Sequence, residues 1–130
     1  KMYVTLRALT LRRQLPMLFR SGRYEALSAE GEHAEHIVAL TRRDDTDSVV
    51  VVVPRLTARL TAFVGRYPLG DSVWNDTRIV LDRPGLEGIY TDRFSGLHIA
   101  TGRRNGTPTL PVAALLARFP VAMLRREATP

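Results

Sequence analysis

A run of five valines at residues 49–53 constrains the fold more than any other feature of the sequence. Valine is branched at Cβ, which restricts its rotamers in a helix and suits the pleated surface of a strand. Because successive side chains of a strand point to opposite faces, this run is apolar on both faces. The run therefore predicts a strand over residues 48–53 that lies centrally in a sheet and is covered on both sides.

Shorter apolar runs predict further strands, about seven in total, at residues 23–29, 35–41, 77–81, 86–91, 97–101, from 109 onward and at 121–126. Polar turns separate them, and Asn105-Gly106 is a strong signal for a hairpin that joins residues 97–101 to the strand from Thr109. Residues 112–117 are predicted to form a short helical or irregular segment. One helix followed by these strands favours a mainly β fold, an antiparallel β-sandwich in two sheets.

The one helix is predicted at residues 2–14, which contain no Pro or Gly and stop before Pro16. At about 100° per residue, its apolar side chains fall in two stripes. One stripe consists of Val4, Ala8, Leu11 and Leu15, and the other of Met2, Leu6 and Leu9. Two stripes need two partners. Our hypothesis is that one packs on this domain and the other on a surface outside it, and the alternative is that the domain covers both.

Composition is that of one globular domain, with 130 residues, 45% hydrophobic and 25% charged. The sequence has no cysteine, which excludes disulfides and thiolate metal sites and is compatible with a reducing cytoplasm, the compartment we expect. No run approaches the ~20 apolar residues of a membrane span, and the opening residues lack a signal-peptide pattern. We expect no membrane partner and no cofactor.

The formal charge of +6 raises the question of nucleic acid as a partner. Lys1 is the only lysine, which indicates a general preference for arginine over a selected phosphate-binding surface. The arginine doublets are spread along the chain, at 12–13, 42–43, 103–104 and 125–126. The sequence therefore favours no nucleic-acid partner, and a basic nucleic-acid-binding domain stays an alternative that salt-dependent affinity would identify.

No residue pattern predicts a catalytic or metal site. His33 and His36 lie near a hairpin, where their odd spacing sends them to opposite faces. The acidic turn at residues 44–47 lacks the Gly and Glu of a calcium loop. Trp74 and Tyr90 are the candidate carbohydrate-binding residues, although packing in the core is the favoured role for such aromatics.

Eight segments, in order, resemble the end of the maltooligosyltrehalose synthases, (1→4)-α-D-glucan 1-α-D-glucosylmutases of the α-amylase family. They are LTLRR at 9–13, PMLF at 16–19, GRYEAL at 22–27, HAEHIVALTR at 33–42, VVVVVPRL at 49–56, WNDTRIVL at 74–81, YTD with FSG at 90–96, and LLARFPVAML at 115–124. The opening pattern is shared with many amylase-type enzymes, whereas the Trp74 segment and the residues around Phe119 are specific to this family. The likeness covers nearly the whole chain.

The resemblance implies an amylase-type C-terminal domain over residues 21–130, with residues 1–20 as the last helix of a (β/α)8 barrel or the joint to it. It implies a parent enzyme that converts the reducing-end α-1,4 bond of maltooligosaccharides into an α,α-1,1 bond, in trehalose biosynthesis. The family's catalytic carboxylates lie on the barrel, so the expectation for this chain is an accessory role without activity of its own.

Two partners follow from the resemblance. The first is the catalytic barrel of the same enzyme, which we expect to contact Met2, Leu6 and Leu9. The second is a maltooligosaccharide ligand, which belongs to the alternative that the chain is a stand-alone carbohydrate-binding module. Titration with maltodextrin would separate the two interpretations.

Overall fold

The structure is a computed structural model and describes residues 2–55 and 74–127. Two helices come first, α1 (Met2–Gln14) and α2 (Pro16–Ser21). They are followed by β1 (Arg23–Glu30), a 3-10 turn (Ala34–His36), β2 (Ile37–Arg43), β3 (Ser48–Pro54), β4 (Arg78–Val80), β5 (Ile89–Asp92), β6 (His98–Ala100), β7 (Gly102–Arg104), β8 (Thr107–Pro111), α3 (Val112–Leu115) and β9 (Ala122–Arg126).

The strands form one antiparallel sheet in the order β6-β5-β9-β3-β2-β1-β4-β8-β7. The sheet divides at β1, whose residues 23–27 pair with β2 and whose residues 28–30 pair with β4 on the opposite side. Buried side chains from both halves meet in the main core, among them Val50 and Leu124 from one half and Ile79 and Leu110 from the other. The mainly β, sandwich-like fold predicted from the sequence is confirmed, whereas the two sheets expected are joined into one through β1.

Strand β3 lies at the centre of the larger half, between β2 and β9. Its Val50 and Val52 are fully buried in the main core, while Val49 is buried in a second apolar cluster. Neighbouring residues of a strand point to opposite faces, so β3 is covered on both sides. The prediction from the valine run is confirmed.

Helix α1 has the predicted bounds, but Pro16 does more than end it. Pro16 is the first residue of α2, where a missing N–H costs nothing and the fixed φ suits the helix. The preceding Leu15 has φ −127° and ψ 58°, outside the helical region. The expectation of one N-terminal helix is therefore corrected to two helices with a bend at Leu15.

The Asn105-Gly106 turn is a hairpin, with φ 53° and 81° at the two residues. Left-handed backbone at both positions is the requirement of a tight type I′ turn. The hairpin joins β7 to β8, so the expectation that it joins residues 97–101 to the strand from Thr109 is wrong. The chain leaves β6, in the larger half of the sheet, and enters β7 in the smaller half. This break at Thr101 helps to raise the described strands from about seven to nine.

Candidate functional site

The two helices pack on the outer face of the sheet and form a second apolar cluster. Leu11, Leu15 and Leu18 supply the helical side and are 0%, 6% and 1% exposed. Val49 and Met123 supply the sheet side. Burial of three leucine side chains contributes about 4–9 kcal/mol as an upper bound. The helices are therefore a firmly attached third layer.

Aromatic side chains fix the beginning of α1 to the loop after β5. The Tyr3 hydroxyl donates a hydrogen bond of 2.5 Å to the Phe94 carbonyl oxygen. The Tyr3 ring lies 5.7 Å from that of Phe119, which in turn lies 5.4 Å from Phe94, in tilted arrangements. Tilted rings at these separations attract beyond the area they bury.

Arg42 of β2 fixes the end of α2. Its Nε and Nη2 donate to the carbonyl oxygens of Leu18 and Phe19, at 3.3 and 2.7 Å. The last carbonyl groups of a helix lack partners within the helix, so these bonds stabilise the terminus. Gly22 follows, and a Cβ there would lie 2.4 Å from the Leu18 carbonyl oxygen. Only glycine allows the chain to pass from α2 into β1 this closely.

The second stripe of α1 faces away from the sheet. Met2 is 82% exposed, Leu6 61% and Leu9 46%, whereas Val4 and Ala8 of the first stripe pack partly buried against the second cluster. The hypothesis of a two-faced helix required that the domain leave one stripe open, and the described residues 2–55 and 74–127 do so. Whether Met2, Leu6 and Leu9 contact a barrel stays a prediction.

A groove of about 500 Å³ borders this stripe, and three of its lining residues are cations. Its lining consists of Leu9, Arg12, Arg13, Pro16, Phe19 and Arg20. Arg12 and Arg13 lie in the last turn of α1 and Arg20 in the last turn of α2. A positive charge there interacts favourably with the negative end of the helix dipole. The groove thus combines apolar and basic surface on the open side of the helices.

Charge is concentrated on this segment. Residues 1–24 contain six cations and no carboxylate, while residues 25–130 contain 13 cations and 13 carboxylates. The net charge of residues 1–24 therefore equals the whole net charge of +6, although the arginine doublets are spread along the chain. The positions of the arginine doublets alone do not reveal this excess of positive charge, whereas a count of acidic and basic residues by segment does.

The two candidate carbohydrate-binding residues lie in the main core. Trp74 and Tyr90 are both 0% exposed. The Tyr90 hydroxyl donates to the Leu86 carbonyl oxygen at 2.7 Å, and burial raises the pKa of Tyr90 above its usual range. Neither ring offers a face on which a sugar could stack, so their placement gives the carbohydrate interpretation no support.

The polar clusters of the described residues have no geometry suited to catalysis. His33 and His36 have ring centroids 6.0 Å apart at the 3-10 turn, and within residues 2–55 and 74–127 no group of three His, Asp or Glu side chains is placed to hold a metal. Thr91 Oγ1 and Glu127 Oε1 both lie near Nδ1 of His98, at 3.1 and 3.2 Å. A triad needs nucleophile and carboxylate on different ring nitrogens.

Asp92 is a buried carboxylate with a structural role. It is 1% exposed and accepts hydrogen bonds from the backbone N–H groups of Phe94 and Met123, each at 3.2 Å, and from the Ser95 hydroxyl at 2.7 Å. It thereby joins the loop after β5 to β9, beneath the aromatic contacts of α1.

Among the helices of the described chain, none has the length and apolar character needed to cross a membrane.

Comparison with known proteins finds one group of relatives. The chain is 35% identical over 127 residues to putative maltooligosyl trehalose synthases of two Mycobacterium tuberculosis strains, CDC 1551/Oshkosh and ATCC 25618/H37Rv. The match covers 98% of this chain and 14% of each relative, so the chain spans about one seventh of their length. No family model matches the sequence.

Solved structures agree with this relationship. The maltooligosyltrehalose synthase of Arthrobacter ramosus superposes with a TM-score of 0.67 at 28% identity, over 96% of this chain and 13% of that one. A variant of the same enzyme gives 0.66 at 27% identity over 93% and 13%.

Fold and comparisons together define the class of this protein: a mainly β domain with a helical layer, of a kind that occurs as a small part of a much longer enzyme. In sequence and in fold, this chain corresponds to one domain of the maltooligosyltrehalose synthases.

Proposed function

We propose that the chain is the C-terminal accessory domain of a maltooligosyltrehalose synthase and that it docks on the catalytic barrel of the same enzyme. Residues 1–20 provide the joint and residues 21–130 the β domain. The parent enzyme converts the reducing-end α-1,4 bond of a maltooligosaccharide into an α,α-1,1 bond, with its catalytic groups outside this chain. The absence of cysteine suits the cytoplasm, which we propose as its compartment.

The observation that carries the proposal is the open stripe of α1 in a chain that matches one seventh of its relatives. Met2, Leu6 and Leu9 project from a helix whose other side is anchored by the aromatic contacts of Tyr3 and by Leu11. An exposed apolar row on a rigid helix marks an interaction surface. The relatives contain about six sevenths of a chain beyond this part, and that remainder is the natural partner.

The proposal is tested with three forms of the Arthrobacter ramosus synthase. The first is the complete enzyme, the second lacks the part that this chain matches, and the third carries this chain in its place. The measurements are the rate of non-reducing product formation from maltohexaose and the thermal midpoint. The isolated 130-residue chain is assayed in parallel.

The expected result is that the third form regains stability and rate that the second form lacks, because the joint is rebuilt. The isolated chain forms no product. Product formed by the isolated chain would contradict the accessory role, and a third form no better than the second would contradict docking.

A further inference from the structure

The groove beside the open stripe of α1 has a composition that indicates the chemistry of its partner. Arg12, Arg13 and Arg20 line it together with Leu9 and Phe19. Leu9 is 46% exposed at its edge. A docking surface with this lining offers guanidinium groups and apolar side chains side by side.

The groove arginines differ from four of the eight arginines that lie in strands. Four arginines of the strands pair with carboxylates: Arg43 with Glu25 at 2.7 Å, Arg78 with Glu30 at 3.3 Å, Arg103 with Glu87 at 2.5 Å and Arg125 with Asp47 at 3.5 Å. Within the described ranges 2–55 and 74–127, no carboxylate lies within ion-pair distance of the three groove arginines. Residues 1–24 contain six cations and no carboxylate, so the three groove arginines are available to pair with negative charge on a partner.

Two classes of macromolecule, nucleic acid and protein, could supply that negative charge. Nucleic acid binds to surfaces that are polar and strongly basic, and it gains little from exposed Leu and Met. Protein interfaces have an apolar centre in which arginine is enriched, and the guanidinium group suits ion pairs there because it is weakly hydrated and bonds carboxylates through two N–H groups. The neighbouring Met2, Leu6 and Leu9 favour the protein class.

We propose that the groove of Arg12, Arg13 and Arg20 binds an acidic, apolar segment of the remainder of the synthase, in which Asp or Glu side chains pair with the arginines while apolar side chains cover Leu6 and Leu9. The inference rests on the proposed docking function and names the chemistry of the partner surface. Arginine selects the carboxylates, and the stripe supplies the apolar area.

The test uses the 130-residue chain alone, so its result does not depend on the domain exchange. The ¹⁵N-labelled chain is titrated with four probes: a helical peptide with Leu on one side and Glu on the other, the same peptide with Gln for Glu, polyglutamate, and duplex DNA. Chemical-shift changes locate each contact. Arg12→Gln with Arg20→Gln is compared with Arg55→Gln with Arg104→Gln, which alters two exposed arginines of the strand region.

The expected result is that the Leu/Glu peptide binds tightest, with shift changes centred on the end of α1 and on α2. Affinity falls about tenfold in the groove double variant, as two exposed ion pairs of up to ~1 kcal/mol each allow, and remains unchanged in the control. Equal affinity for the Gln peptide would overturn the role of carboxylates. Equal or tighter binding of polyglutamate or DNA would replace the inference by a general polyanion site.

If the peptide leaves the spectrum unchanged, the inference is wrong, while docking is judged separately by the exchanged enzyme.

Discussion

Replacement of Leu6 and Leu9 by glutamine separates a docking surface from an ordinary exposed helix face. The two side chains are 61% and 46% exposed, so a partner can still remove about half of each from water. Glutamine has a helix propensity close to that of leucine, and it leaves the packed stripe with Leu11 intact. Effects on the isolated domain should stay within about 0.5 kcal/mol.

The magnitude in the assembled enzyme follows from the exposed fractions. Full burial of a leucine side chain is worth about 1.5–3 kcal/mol, and scaling by the exposed fractions gives about 1.6–3.2 kcal/mol for the pair. This corresponds to a change of about 15- to 200-fold in an equilibrium constant. The double variant should weaken docking by that factor.

Hydrogen exchange of the β3 amides is the assay, because their protection reports how often the domain opens. In the exchanged Arthrobacter ramosus enzyme, Leu6→Gln with Leu9→Gln should lower protection by about 15- to 200-fold. In the isolated chain the change should stay within about twofold. Ile89→Gln, at a residue 48% exposed on β5, is the control and should change neither. Equal effects in both proteins would refute the docking argument.

Three further predictions concern the domain itself. Asp92→Ala should lower the free energy of unfolding, measured by urea denaturation, by about 2–4 kcal/mol, because it leaves buried N–H groups without acceptors. The control Asp82→Ala should have no effect. A loss below ~0.5 kcal/mol for Asp92→Ala would contradict the role of the buried hydrogen bonds. A hydrogen bond from Arg43 holds the pKa of Glu25 below its usual range. The stability that this hydrogen bond gives is complete above the unfolded pKa near ~4.3 and is lost as pH falls through the lowered folded pKa. The thermal midpoint of Glu25→Gln should therefore decline less between about pH 6 and pH 3 than that of the unaltered chain. Parallel declines of the two midpoints would contradict this prediction. Titration with maltohexaose should leave the fluorescence of Trp74 unchanged, because its ring is fully buried. A saturable change in fluorescence would instead support the interpretation as a carbohydrate-binding module.

The sequence predicted those elements whose cause is local. The valine run required a central strand, and Pro16 ended α1 at the predicted residue. Asn105-Gly106 required a tight turn. In each case the deciding property belongs to the residues themselves. It is β-branching for the valines, a missing N–H for Pro16 and tolerance of positive φ for Asn105-Gly106.

Other features depended on neighbours distant in sequence. The division of β1 between two halves of the sheet is set by pairing with β2 and β4, which no local pattern encodes. The role of Arg42 at the end of α2 arises only when β2 packs beneath that helix. The groove likewise needs the bend at Leu15 to bring the arginines of two helices together.

The central claim, that the open stripe of α1 is covered by the rest of a synthase, is tested most directly by the accessibility of one position. The chain has no cysteine, so Leu6→Cys introduces a single thiol whose labelling rate is followed by peptide mass spectrometry. The account predicts rapid labelling in the isolated chain and labelling at least about tenfold slower in the exchanged enzyme, while Ile89→Cys reacts alike in both. Equal rates for Leu6→Cys in the two proteins would contradict it.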